Sequence, residues 1–318
     1  MNDSSHSPAA HWNLDAIVSG LRSARVDWRG PRGRLRHDAG DREFPSQESL
    51  RAIVRQLCGA LFPMRLGPID LREEVEDFYV GHTIGAALDA LLHQVCLELH
   101  HMGRNGSEPD SDSSIRARAV QIVRQFGAAL PQVRRALDLD VTAAYQGDPA
   151  AHSVDEVLLC YPGVSAMIHH RLASVLYRLG VPMLARIVAE IAHADTGIDI
   201  HPGATIGKSF FIDHGTGVVI GETAIIGDRV RLYQMVTLGA KRFPPGENGE
   251  LKKGLARHPI IEDDVVIYAG ATILGRVTIG QGSTIGGNVW LTRSVPPGSN
   301  VTQASLVSDM PDCGLGGA

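Results

Sequence analysis

An aliphatic residue at every sixth position constrains this chain more than any other feature. Ile200, Ile206 and Ile212 set the interval, and Ile220, Ile226, Leu232 and Leu238 repeat it. Ile261, Ile267, Ile273, Ile279, Ile285 and Leu291 repeat it again. Small or β-branched residues follow four places on at Ala224, Val230, Val236, Val265, Ala271, Val277, Ser283 and Val289. Glycine often follows the aliphatic directly, as at Gly207, Gly221, Gly227, Gly239, Gly280 and Gly286. Such a period matches neither the ~3.6 residues of a helical turn nor the alternation of an open strand. It fits a short strand plus a corner, three such units closing one triangular coil. The aliphatic points inward onto its counterpart in the next coil, and glycine tolerates the corner dihedrals. Aromatic residues are only 5% of the chain, as a prism too thin for large rings requires. The expectation is a parallel β-helix.

Two places break the register. From Ile212 to Ile220 the step is eight, which inserts two residues at Asp213-His214-Gly215-Thr216-Gly217. Between Leu238 and Ile261 a polar, Pro/Gly-rich segment, residues 240–259, reads as a loop leaving the prism. Residues 241–257 of it carry five basic and two acidic side chains.

Upstream of the repeat the pattern is helical, so the chain reads as an α+β multidomain protein: an α-helical N-terminal domain followed by the β-helix. Residues 1–45 are polar, with seven arginines between positions 21 and 42, and read as a mobile arm. Residues 46–195 read as the helical domain. Leu50, Ile53, Val54, Leu57 and Leu61 keep a three-to-four residue step that Pro63 ends. A second pattern runs from Leu71 to Leu99, residues 103–114 form a loop, and residues 115–137 form a third helix. Ser153-Val154-Asp155-Glu156 is a capping box. Helices over 164–179 and 183–194 follow, parted by Gly180 and Pro182. Residues 196–300 are the β-helix and 301–318 a C-terminal tail.

Composition excludes several classes. A net charge of −5 and a pI near 6.3 argue against a nucleic-acid partner. Residues 1–20 have no secretory pattern, and no stretch is long and apolar enough to span a bilayer, so no membrane association is expected. Cys58, Cys96, Cys160 and Cys313 are scattered without a Cys-x-x-Cys, as in reduced cytoplasmic proteins. His100-His101 and His169-His170 lie on helices, where neighbours point about 100° apart and cannot chelate from one face. No metal is expected.

Five runs are more specific than the repeat: Asp199-Ile-His-Pro-Gly-Ala-Thr-Ile-Gly207, Asp213-His-Gly-Thr-Gly-Val-Val-Ile-Gly-Glu-Thr223, Val236-Thr-Leu-Gly239, Arg257-His258-Pro259 and Asp148-Pro149. On them the chain resembles the serine O-acetyltransferases, over roughly residues 148–301. The resemblance implies a left-handed parallel β-helix behind a helical domain, assembled as a homotrimer or dimer of trimers with the site between subunits. It implies transfer of acetyl from acetyl-CoA to the L-serine hydroxyl, giving O-acetylserine and CoA in cysteine biosynthesis. It makes His214 the general base and Asp199 the residue that orients it. It has Asp148, Asp213, Arg257 and His258 contact the amino acid, the last two from a neighbouring subunit, with Glu222 near the same cleft. It lays the pantetheine along Gly239, Ala240, Ala269 and Gly270. L-cysteine is implied as a feedback inhibitor competing through Asp148, Asp213 and Arg257. Members that dock into O-acetylserine sulfhydrylase end in isoleucine, whereas this tail runs Met310-Pro-Asp-Cys-Gly-Leu-Gly-Gly-Ala318, which puts that complex in doubt.

The chemistry needs such groups. A serine hydroxyl is a poor nucleophile at neutral pH, so an imidazole must take its proton as it attacks the thioester. A carboxylate on the other ring nitrogen fixes the tautomer. A guanidinium at Arg257 suits the substrate carboxylate. All four lysines lie in the glycine-rich third, so Lys241, with Arg242, Lys252 and Lys253, is a candidate for the CoA phosphates. Three alternatives stay open: the same chemistry on another small acceptor (a different amino acid, a sugar or an antibiotic), a γ-type carbonic anhydrase, and an inactive scaffold. His201, His214 and His258 lack the close His-x₄-His pair that the carbonic anhydrase zinc site needs.

Overall fold

The computed structural model describes residues 12–29, 44–103, 111–241 and 254–304. Residues Met1–Glu43 form a unit of their own, in which α1 (Leu14–Arg29) occupies what reads in the sequence as a polar arm. Leu14, Ile17, Val18 and Leu21 recur at helical spacing and are exposed. That four-residue stripe is the signal for α1.

From Phe44 onward, helices and prism share one hydrophobic core. Ser46 Oγ accepts the Ser49 N–H and starts α2 (Gln47–Leu61), which stops at Phe62 because Pro63 opens α3 (Pro63–Leu66). A 3₁₀ turn, Glu73–Val75, leads into α4 (Glu76–Gly103). Ser111 caps α5 (Asp112–Gly147), which runs ten residues beyond the predicted end because Asp140, Val141 and Ala144 are still buried. Ser153 Oγ accepts the Glu156 N–H at 3.0 Å to start α6 (Val154–Cys160). The Glu156 carboxylate takes the His152 N–H at 2.8 Å, so the capping box closes one residue earlier than its usual form. Helices α7 (Pro162–Arg178) and α8 (Pro182–Thr196) follow, and Gly197 ends α8 in the left-handed conformation at φ 70°.

The prism is the expected left-handed parallel β-helix. Among the described residues it has fourteen strands of two or three residues. These are β1 (Asp199–Ile200), β2 (Thr205–Ile206), β3 (Phe211–Ile212), β4 (Val219–Ile220), β5 (Ile225–Ile226), β6 (Arg231–Leu232) and β7 (Thr237–Gly239). After the loop come β8 (Ile260–Ile261), β9 (Val266–Ile267), β10 (Thr272–Leu274), β11 (Thr278–Ile279), β12 (Thr284–Ile285), β13 (Trp290–Leu291) and β14 (Asn300–Val301). They stack in three parallel faces, β1-β4-β7-β10-β13, β2-β5-β8-β11 and β3-β6-β9-β12-β14. Each counted aliphatic lies in a strand, in register with its counterpart one coil away, as Ile212 with Leu232 and Leu232 with Ile267. Val301 adds a fourteenth position that the count missed, because the last coil is two residues short: Val295 bridges Ile279 and Val301 pairs Ile285, so the step from Leu291 no longer falls on multiples of six.

Corners carry the backbone strain. Ser209, Arg229 and Asp264 share one corner, His214, Met235 and Asn288 another, all with φ between 56° and 61°. For an L residue that region costs about 1–2 kcal/mol. A buried ion pair fastens helices to prism. The Arg171 guanidinium meets Asp140 at 2.5 and 2.8 Å and donates to the Gly207 carbonyl at 2.8 Å, while Asp140 also accepts the Phe210 N–H. No helix among the described residues is long and apolar enough to cross a membrane.

Candidate active site

The two-residue insertion after β3 lifts His214 out of the prism. Its side chain is 69% exposed, on the corner between the faces of β3 and β4. Beside it Asp213 is buried, and its Oδ1 lies 3.7 Å from His214 Nδ1. Asp213 Oδ2 accepts from Arg231 at 3.0 Å. Asp148, just past the end of α5, reaches the same corner. Its Oδ2 accepts the Tyr161 hydroxyl at 2.5 Å and its Oδ1 the Ala150 N–H at 2.8 Å. The Tyr161 hydrogen bond, helped by the charges of Arg231 and His214, holds the Asp148 carboxyl below its ordinary range. The same bond pushes the Tyr161 phenol up to about 12. Asp148, Asp213 and His214 therefore come together in one chain.

Arg257, His258 and Glu222 meet at a different corner, between the faces of β4 and β5. Arg257 donates to Glu222 Oε2 at 2.7 Å, and Tyr177 donates to Oε1 at 3.0 Å. Burial pushes the Glu222 carboxyl up, but these two hydrogen bonds outweigh it and the net position is below the usual value. His258 is buried, and its Nδ1 accepts the Thr223 N–H at 3.1 Å. An Nδ1 that accepts a backbone N–H carries no proton, so the ring is the neutral tautomer with hydrogen on Nε2. Burial, seconded by the Arg257 charge, lowers the His258 pKa and favours that neutral form. Thr223 Oγ1 accepts the N–H groups of Arg257 and His258, which fixes the loop where it rejoins the prism. Arg276 donates to the carbonyls of Thr223 and His258 from the next coil. Gly221 leaves the room: a Cβ there would stand 2.1 Å from His258 Nε2.

Asp199 does not join His214. Its strand lies one coil beneath the His214 loop, with Asp199 paired to Val219. Its carboxylate, Glu190 and His193 bring ligand atoms within 4.8 Å of one another. Within that cluster Glu190 is ion-paired to Arg186 at 2.5 Å. Among the described residues the carboxylate within ion-pair range of His214 is that of Asp213.

The residues expected along the pantetheine also divide between the two corners. Ala269 and Gly270 lie on the His214 corner, where the Gly270 N–H donates to the Gln234 carbonyl. Gly239, Ala240 and Lys241 lie at the far end of the β4–β7 face, where the loop departs; Gly239 accepts the Gly275 N–H at 2.9 Å. Arg242, Lys252 and Lys253 fall outside the described residues. Sequence reasoning missed Tyr161, Arg231, Tyr177 and Arg276. Arg231 was accessible to it, since counting one coil on from Phe211 lands there.

Residues 258–293 match the bacterial transferase hexapeptide (six repeats) family. A serine acetyltransferase designated "plasmid" from Synechococcus elongatus is 54% identical over 309 residues, 96% of this chain and 95% of that protein. The crystal structure of Entamoeba histolytica serine acetyltransferase 1 in complex with L-cysteine superposes with a TM-score of 0.68 at 33% identity. It covers 92% of this chain and 100% of that one. Neisseria gonorrhoeae serine acetyltransferase in complex with serine gives a TM-score of 0.50 at 26% identity, over 84% and 96% of the two chains. The identity to the Synechococcus protein runs through the helices as well as the prism, and on it this chain belongs to the serine acetyltransferase family.

Proposed function

We propose that this chain transfers the acetyl group of acetyl-CoA to the L-serine hydroxyl, releasing O-acetylserine and CoA, by direct attack with His214 as general base. One observation carries the reading: an exposed imidazole on the two-residue register insertion after β3, beside a buried aspartate, in a chain 54% identical to a serine acetyltransferase over 96% of its length. The base takes the hydroxyl proton as the oxygen attacks the thioester carbon; the thiolate of CoA leaves and is protonated. Asp148 and Asp213 supply the negative charge that a serine ammonium needs, and Asp199, one coil beneath, orients the ring in the loaded site.

Arg257, held by Glu222 and set beside His258, takes the substrate carboxylate. Because this group and His214 occupy different corners, a complete site joins the His214 corner of one chain to the His258 corner of a second. That is the supporting argument for a homotrimer, or a pair of trimers. Acetyl-CoA would then lie between Ala269-Gly270 of one chain and Gly239-Ala240-Lys241 of the other. The serine and L-cysteine bound to the two solved relatives support serine as acceptor and cysteine as a competing inhibitor of a cysteine-forming pathway. A cytoplasmic location fits these substrates.

The test is CoA release from acetyl-CoA with L-serine, run beside His214→Ala. A general base is worth ~10²–10⁴ in rate, so kcat falls by at least a hundredfold. An unchanged kcat removes His214 as the base. Release that ignores serine but responds to another small acceptor overturns the acceptor while keeping the mechanism.

A further inference from the structure

Arg231 stands out because no part of the reaction above uses it, yet it is the best-anchored cation at the His214 corner. It is the outward residue of β6 and lies in register over Phe211. Its guanidinium carbon sits 4.9 Å from the Phe211 ring centre and 4.8 Å from that of Tyr233, so two aromatic faces hold it. Tyr233 is itself braced by Tyr268, stacked at 5.0 Å with 13° between the ring planes. Gly147, the last residue of α5, lets the helix end close on the Phe211 ring, from which a Cβ there would lie 3.0 Å, and the Arg231 guanidinium lies beside that helix end. A cation at the carbonyl end of a helix is in a favourable field. From this seat one terminal nitrogen donates to Asp213 Oδ2, while Nε is buried with no hydrogen-bond partner among the described residues. A buried donor left unpaired costs stability, so packing alone does not account for an arginine here.

We infer that Arg231 is a positioning residue that sets the charge of the serine-amine cradle, fixing Asp213 and offsetting one of the two carboxylates that converge on His214. The inference rests on the reading of Asp148 and Asp213 as the ammonium cradle. Five groups gather at the His214 corner: Asp213 from its own strand end, Arg231 and Tyr233 from the next coil, Asp148 from the end of α5, and Tyr161 from the start of α7. With Arg231 present, two carboxylates and one cation leave a net charge of −1, the complement of one ammonium. Without it the net charge is −2 before substrate arrives, which favours the protonated, inactive form of the base and frees the Asp213 carboxylate to turn. Arginine suits the task because its charge survives at all working pH and its plane stacks on rings.

The experiment measures kcat/KM for serine against pH in the wild type, Arg231→Met, Arg231→Gln and Arg231→Lys, with thermal unfolding alongside. Met and Gln remove the charge while keeping most of the bulk between the rings; Lys keeps the charge. The expected result is an acid limb displaced to higher pH in Met and Gln, by about half a pH unit or more for a unit charge at this range. Serine KM at neutral pH rises at least fivefold, and Lys restores most of both. A purely packing role would lower Tm in all three variants without moving the limb. An unmoved limb with wild-type KM in whichever of Met or Gln folds overturns the inference and leaves the acetyltransferase reading intact. A wild type without serine-dependent release overturns both.

Discussion

The helices and the prism bury polar side chains for different purposes. Among the described residues, Thr83, Gln94, Glu98, Asp140, His170 and Ser174 are buried in the helices, against Asp213, His258 and Ser283 in the prism. In the helices these groups are joints. Glu98 accepts the Met183 and Leu184 N–H groups at 2.8 Å each, closing the start of α8, and Asp140 ties α5 to α7 and to the prism. In the prism the interior column is aliphatic, and two of the three buried polar residues belong to the candidate site. A coil repeat needs no polar joints, because each strand satisfies its backbone on the coils above and below. A buried charge in a regular stack therefore marks function, whereas in a helical pack it marks assembly.

The sharpest way to break that comparison is Arg171→Ala. Asp140 is 2% exposed, and removing its guanidinium leaves a buried carboxylate without its charge partner, a loss of about 3–5 kcal/mol. Urea unfolding measures it. The exposed Arg51–Asp195 pair serves as the control, since pairs of that kind are worth about 0–1 kcal/mol. Equal losses at the two sites would refute the joint.

A second probe is pH. His170 is fully buried in α7, and burial, with the charges of Arg171 and Arg178 beside it, drives its pKa down to about 3 from an ordinary 6.5. The unfolded chain takes up a proton below pH 6.5 that the folded chain refuses until about 3. Stability from this group is therefore complete above 6.5 and is lost on acidification, by about 1.4 kcal/mol per pH unit. His170→Gln flattens that slope between pH 6 and 4, whatever its effect on absolute stability. A parallel slope in the variant would remove His170 from the account.

These differences explain what could be read in advance. Period six placed every strand from Ile200 to Leu291, because in a coil the register alone fixes which side chain points inward. The inserted pair at His214 was visible for the same reason. The start of α6 was legible from the capping box at Ser153 and that of α2 from the apolar spacing after Ser46, whereas the extension of α5 to Gly147 depends on burial against a prism more than fifty residues away. The Asp140–Arg171 joint has no local signature. Asp199 was assigned to His214 by resemblance, and in the single chain the ring meets Asp213 instead, because the carboxylate of Asp199 lies among Glu190 and His193. The grouping of Arg257, His258 and Glu222 was anticipated by the same resemblance, but the supports behind it, Thr223, Tyr177 and Arg276, come from coils and a helix that sequence spacing does not connect.

The smallest expected effect sharpens the prism side. Gly221 has ordinary backbone angles, so alanine is conformationally allowed there, but its Cβ would stand 2.0–2.1 Å from the His258 ring. The ring must swing away, breaking the bond from the Thr223 N–H that fixes its tautomer. Strand pairing beneath is untouched, since the Gly221 N–H bonds the Leu238 carbonyl through the backbone. Gly221→Ala should therefore cost about tenfold in kcat/KM for serine, near 1.4 kcal/mol of transition-state stabilisation, with little change in Tm. A large fall in Tm with unaltered kinetics would mean that His258 is a joint like Asp140, and the distinction between the two regions would not hold.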